Sequence, residues 1–184
     1  MAIVKLYHYT PICLFEKIYN SGLIKASRFI KKDLGEGAAI SLTSDLDSSG
    51  HGLTEGLAFE GNVPENTRTI KIDGINMTLD ARACRITLGI NDVSSKLIKA
   101  SEYYKNNMVI LLALEARAQY PHNPEPSEQL LMDVGHRLKS GAVKGKGHTW
   151  WYFLGDLPYR KVLNVEERSQ DGSYFSIFDS YSRN

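Results

Sequence analysis

Ile3-Val4-Lys5-Leu6-Tyr7-His8-Tyr9-Thr10-Pro11 opens the chain, and the reading of this stretch decides the fold. Its β-branched and aromatic residues predict a first strand from Ile3 to Tyr9. Thr10-Pro11 then has the form of a helix start: threonine caps orphan backbone amides, and proline suits a first turn. Ile12, Phe15 and Tyr19, with Ile18 beside them, fall on one helical face. Asn20-Ser21-Gly22 supplies the stop.

Working outward, Leu23 to Ser27 is expected as a short extended piece and Ala38 to Ser44 as a second strand. Asp45 to Asn66 is rich in Gly, Ser, Asp and Asn and predicts a long surface loop, a kind of segment that often carries function. Its Gly50-His51-Gly52-Leu53 core lacks the residues of a phosphate loop or a dinucleotide fingerprint, and suits a ligand-covering loop instead. Thr67 to Asp73 and Cys84 to Ile90 are expected strands. Ser94 to Asn106 has a helical pattern, and Met108 to Gln119 predicts a well-buried helix. His122 to Pro126 should be extended, because a residue before proline avoids the helical region. Glu128 to Asp133 is expected as a strand and Ser140 to Gly147 as a Gly/Lys loop. His148 to Phe153 and Arg160 to Val165 follow as strands. The tail after Glu167 is polar, with Tyr174 to Phe178 as a segment able to dock. An early strand, one helix, then mostly strands with a helical insertion predict a single α+β domain over 1–184.

Composition narrows the function. With 184 residues, the chain can bury a core without staples. Its formal charge of +1 argues against a passive nucleic-acid coat, which needs a strong basic excess. Cys13 and Cys84 have neither metal-ligand nor disulfide-framework spacing. His51, His122, His136 and His148 are scattered, so no metal is expected. The apolar run from Met108 to Leu114 is too short to cross a bilayer. No signal peptide is recognisable, and a cytoplasmic location without membrane attachment is expected.

Tyr7-His8-Tyr9-Thr10, the short helix and Ser21-Gly22-Leu23-Ile24 resemble the start of ADP-ribosyltransferases of the His-Tyr-Glu type. The second strand Ile40-Ser41-Leu42-Thr43-Ser44 and Ser127-Glu128-Gln129-Leu130-Leu131 follow in the family's order. Trp150-Trp151-Tyr152-Phe153-Leu154-Gly155 and Val162-Leu163-Asn164-Val165-Glu166 resemble its closing strands. The likeness is strongest to the nucleic-acid-targeting toxins of toxin–antitoxin systems. It implies an ADP-ribosyltransferase-like fold of two packed, mostly antiparallel sheets. It also implies NAD as co-substrate, a nucleobase of DNA or RNA as acceptor with a protein side chain as the next choice, and a toxin or phage-defence role with an antitoxin partner.

The resemblance also assigns residues. His8 would hydrogen-bond a ribose of NAD, a task suited to a ring that both donates and accepts. Tyr9, Thr10 and Gly22 belong to the same wall, although Thr10 is equally a helix cap. Arg28 would pair with the pyrophosphate. Glu128 would stabilise the oxocarbenium-like ribose left when nicotinamide departs, with Glu125 as the competing carboxylate. Many protein-modifying members carry Gln or Glu where Pro126 stands here, which leans away from arginine modification. No tyrosine lies in the second strand. Ser41 or Ser44 would supply a polar contact there, and Phe29 or Phe59 the stacking surface. Arg137, Lys139, Lys144 and Lys146, beside Trp150 and Trp151, form a cluster able to hold a nucleic-acid backbone. The alternatives are a catalytically inactive NAD-binding or interaction module, an NAD hydrolase, and an RNA 2′-phosphotransferase-like enzyme. For the last, Arg28 and Arg68 have no matching arrangement.

Overall fold

The chain was analysed as a computed structural model, which describes residues 2–28, 38–59, 69–72, 74–105, 107–120 and 126–181. Strand β1 (Ile3–Thr10) is the axis. Helix α1 (Ile12–Ser21) follows and closes at Gly22, whose φ of 71° lets its amide reach the carbonyls of Ile18 and Tyr19. Pro11, not Thr10, occupies the N-cap, and no side chain caps this helix. The expected threonine cap is therefore corrected: the proline carbonyl takes the amides of Leu14 and Phe15 instead.

Short strands β2 (Leu23–Ile24) and β3 (Ser27–Arg28) lead to β4 (Ala38–Thr43). Strands β5 (Ala58–Phe59), β6 (Thr69–Ile72) and β7 (Ile75–Thr78) form a small antiparallel sheet of their own, with β7 in the middle. Then come β8 (Cys84–Asn91), β9 (Leu97–Lys99) and α2 (Ala100–Tyr103). Helices α3 (Met108–Gln119) and α4 (Glu128–Lys139) pack together before β10 (Trp150–Leu154). Strands β11 (Leu157–Pro158), β12 (Val162–Arg168) and β13 (Tyr174–Ser176) end the order.

Among the described residues the large sheet has eight strands, in the order β13-β12-β8-β1-β4-β10-β9 with β3 also on β4. All its pairings are antiparallel. This is an α+β chain with antiparallel sheets, as expected. Its two halves meet at one place. β1 pairs with β8 along its whole length, from Ile3↔Asn91 to Thr10↔Cys84, but with β4 only at Tyr7↔Thr43.

The two sheet faces carry different cores. Leu6, Ile86 and Leu88 face α1, where they join fully buried Phe15. Each such side chain contributes about 1.5–3 kcal/mol relative to exposure. On the other face Ala39 and Tyr152 pack against Ala100, Tyr104 and Ile110. The tail docks rather than frays: Tyr181 meets the rings of Phe15 and Tyr19 edge-on, 4.9 and 5.1 Å between centroids. Among the described residues no helix is long and apolar enough to cross a membrane.

Three expected elements need correction. Ser94 to Asn106 is not one helix, because Leu97–Lys99 is drawn into a strand on β10. Helix α3 has the expected bounds but is less buried than expected, with Met108 and Val109 largely exposed. Glu128 to Asp133 is helical, as the first half of α4. Ser127 caps α4 by accepting from the Leu130 amide at 3.3 Å, and His136, Arg137 and Lys139 sit where the helix dipole favours cations. Ser127→Ala should cost about 1 kcal/mol, a fall of roughly 2–4 °C in Tm for a chain this long. An unchanged melting curve would contradict the cap.

Candidate functional site

The single bridge at Tyr7↔Thr43 creates the site. Beyond it β1 and β4 part, and their facing backbone groups lose the ladder that would satisfy them. His8 fills the gap: its Nδ1 lies 3.0 Å from the Ser41 carbonyl. A carbonyl only accepts, so Nδ1 carries the proton. Burial pushes the His8 pKa down, with the Ser41 bond opposing that shift in second place. The neutral ring therefore keeps a lone pair on Nε2.

A cavity of about 320 Å³ opens at this fork. Its floor is the sheet: Tyr7, His8 and Tyr9 from β1, Ser41 to Thr43 from β4, and Trp150 to Tyr152 from β10. The register lines up Tyr7, Thr43 and Trp150 in one row across three strands. Leu114, Arg117 and Ala118 of α3 form one wall, and His51, Gly52 and Leu53 form the other.

That second wall is held at several points. Gly52, at φ 71°, donates its amide to the Ala118 carbonyl at 3.2 Å. A Cβ there would meet the Arg117 carbonyl at 3.1 Å, so glycine is required for this approach. The Trp150 indole N–H donates to His51 Nδ1 at 2.8 Å. His51 thus has the opposite tautomer to His8, with its proton on Nε2. Burial first, and the Lys146 ammonium second, hold the His51 pKa below its usual value. Lys146 pairs with Asp45 and with Asp47, the latter at 3.2 Å. Glu115 of α3 fixes the next turn through the amides of Gly147 (2.7 Å) and Lys146 (3.2 Å).

The loop base is anchored from beneath. Arg85 grips Glu166 through two bonds of 2.9 and 2.8 Å and gives its Nη1 to the Leu46 carbonyl at 3.1 Å. The Tyr9 hydroxyl donates to the same carbonyl at 2.7 Å. Burial pushes the Tyr9 phenol up to about 12, so it stays a donor.

The cavity's polar supply is mostly donors. Trp151 Nε1 is buried without a hydrogen-bond partner among the described residues, and His51 Nε2 has only a long approach of 3.7 Å to the Asp45 carboxylate. Arg117 is exposed at the rim and makes no ion pair with a described residue. His8 Nε2 is an acceptor beside them. Among the described residues that line it there is no aspartate or glutamate.

Of the residues picked from sequence, His8, Tyr9 and Ser41 line this cavity. Thr10 is buried beside it and Ser44 bonds to Thr149, so neither is part of the lining. Gly22 is the C-cap of α1 and accepts from the Tyr159 amide. Glu128 is exposed in the first turn of α4, outside the lining. Glu125, Phe29 and Arg68 lie outside the described residues, as do the side chains of Arg28 and Phe59. Two of the four residues of the basic cluster are committed elsewhere: Lys146 to two aspartates, and Arg137 to Tyr120 (2.7 Å) and Asp133 (3.8 Å).

Stability should register His8. The unfolded chain takes up its proton near the ordinary value of 6.5, whereas the folded chain does so lower. Between those values the unfolded state holds more protons, so stability falls as pH falls. Melting temperature should decline as pH falls through and below about 6.5, and His8→Asn should flatten the slope. Parallel profiles for the two proteins would contradict the buried neutral ring. Comparison with protein-family models, with characterised proteins and with solved structures gives no match to this chain.

Proposed function

We propose that the cleft between β1 and β4 binds NAD and that the chain is an NAD-dependent ADP-ribosyltransferase. The observation that carries the reading is the His8 ring seated in the strand fork with Nε2 left as a free acceptor. A ribose hydroxyl supplies the matching donor. Three further features support it. The Trp151 N–H, without a hydrogen-bond partner among the described residues, and the His51 N–H, only 3.7 Å from Asp45 at its nearest carboxylate, suit carbonyl, hydroxyl and phosphate oxygens. Arg117 brings a guanidinium without a described counter-charge, which suits a pyrophosphate. Tyr7, Trp150 and Tyr152 supply flat apolar surface for a ring.

NAD brings a glycosidic bond whose cleavage releases nicotinamide and leaves an electron-poor ribose. The protein's task is to hold that ribose, exclude water and aim an acceptor. A nucleobase is the proposed acceptor, with a protein side chain second, in a toxin or defence setting. The carboxylate is the open part of the site. Glu125 and Glu128 both follow α3, whose last turn forms the cleft wall, and either is the proposed acid. A second reading, an NAD-binding module without chemistry, is favoured by the absence of a carboxylate among the described lining residues.

Calorimetry of the full chain should show NAD binding, and His8→Ala should weaken it about tenfold, the effect of losing one good hydrogen bond in a buried site. Bound NAD should also quench the fluorescence of Trp150. No heat and no quenching would remove both readings.

Labelled NAD with DNA, RNA or lysate should mark a macromolecule. A Glu125→Ala/Glu128→Ala double variant should lose transfer by about a hundredfold or more while keeping NAD affinity. NAD binding with no transfer by the wild type leaves the inactive module. Full transfer by the double variant would place the acid elsewhere.

A further inference from the structure

A second cavity, about 230 Å³, shares Gly52, Leu53 and Ala118 with the NAD cleft. Ser48, Glu55, Arg82 and Gln119 complete the part of its lining that matters here. Its buried unpartnered polar atoms are all nitrogens. Arg82 Nε and Gln119 Nε2 have no hydrogen-bond partner among the described residues, and no oxygen is orphaned beside them. Buried donors without acceptors are costly, so this arrangement asks for a ligand rich in acceptor oxygens.

The Arg82 guanidinium does meet one anion, the Glu55 carboxylate, at its Nη2 edge. The two partners differ sharply in burial: the Arg82 side chain is 11% exposed and that of Glu55 is 60% exposed. Glu55's backbone is fixed, since its carbonyl accepts from the Thr78 hydroxyl at 2.5 Å. Its carboxylate can therefore leave Arg82 by side-chain rotation into solvent, with the loop unmoved. Arg168 adds positive field. Burial first, and that second guanidinium next, push the Arg82 pKa below its usual value. Arg168 is itself paired with Asp80 at 3.9 Å, and Glu55, on one edge of the fork, leaves Arg82 Nε unused.

We propose that this cavity is a phosphate-binding subsite, in which a phosphomonoester or phosphodiester group displaces the Glu55 carboxylate from Arg82. A tetrahedral anion can offer separate oxygens to Arg82 Nε, Arg82 Nη2 and Gln119 Nε2, which a rim carboxylate cannot. The shared wall makes the phosphate part of whatever lies in or beside the cleft: the backbone of a polynucleotide acceptor or a phosphate of the bound nucleotide. The inference stands on Arg82, Gln119 and Glu55 and does not require NAD to be the cleft's ligand.

The test is calorimetry on the full chain with inorganic phosphate, a short single-stranded oligonucleotide and NAD, each titrated separately. Glu55→Gln removes the competitor and should tighten phosphate binding several-fold. Arg82→Gln should weaken it about tenfold or more, the value of a charge-assisted bond. Weaker oligonucleotide binding by Arg82→Gln with NAD unchanged identifies a strand phosphate; the reverse identifies a phosphate of the dinucleotide. Both support the subsite. Equal phosphate affinity in wild type and Glu55→Gln, or no phosphate binding by either, overturns it. Because Glu55→Gln keeps Arg82, that comparison decides the matter even if Arg82→Gln fails to fold. NAD binding by the wild type is read independently, so failure of the subsite and failure of the NAD reading give different results.

Discussion

Backbone hydrogen bonding sets the problem this chain solves at its centre. A strand inside a sheet expects a ladder on both sides, and β1 has a full ladder only toward β8. Toward β4 it has one bridging pair. Every group beyond Tyr7↔Thr43 needs another partner or the fork closes. His8 meets that need with a side chain, and in doing so its tautomer is fixed by the Ser41 carbonyl. The same bond that permits the opening therefore decides what chemistry the opening offers.

The cleft wall depends on a second constraint, the fate of the loop after β4. A segment of such composition gains little from burial and would be free without anchors. Here the Leu46 carbonyl receives Arg85 from β8 and Tyr9 from β1, while Glu166 of β12 holds the guanidinium fork. Tyr174 of β13 covers it, 4.2 Å from the ring centroid to the guanidinium carbon. Four strands thus converge on one carbonyl. On either side of Leu46, Lys146 ties Asp45 and Asp47 to the turn before β10. The start of the loop is thus held from both half-sheets, and farther along His51 is held by Trp150 of β10.

The sequence was legible wherever one local pattern decided the answer. Strands β1, β4 and β8 are written in their β-branched and apolar residues, and His8, Tyr9 and Ser41 follow from the first two strands. Helix α4 was also written locally. Ser127 is a cap, and Leu130, Leu131, Val134 and Leu138 repeat at helical spacing. The expected strand there, read as continuing after the extended segment up to Pro126, passed over this spacing and carried Glu128 with it. Leu97–Lys99 failed the other way: its local pattern is helical, and pairing with β10 overrides it. His51 and Trp150 lie 99 positions apart, and Asp45 and Lys146 lie 101 apart. No spacing rule reaches across such separations, so the loop wall emerged only in three dimensions.

Opposed tautomers tie these strands of argument together. His8 presents a lone pair because a carbonyl holds its other nitrogen; His51 presents a proton because an indole occupies its own. Both rings are kept neutral first of all by burial. A ligand in this cleft must therefore donate toward β1 and accept toward the loop. A sugar hydroxyl beside phosphate or carbonyl oxygens has that polarity, whereas an alkyl chain or a simple anion has only part of it. The orientation of a nucleotide here would be set before any carboxylate acts. In the proposed reading binding and chemistry are separable, and the two neutral imidazoles serve binding.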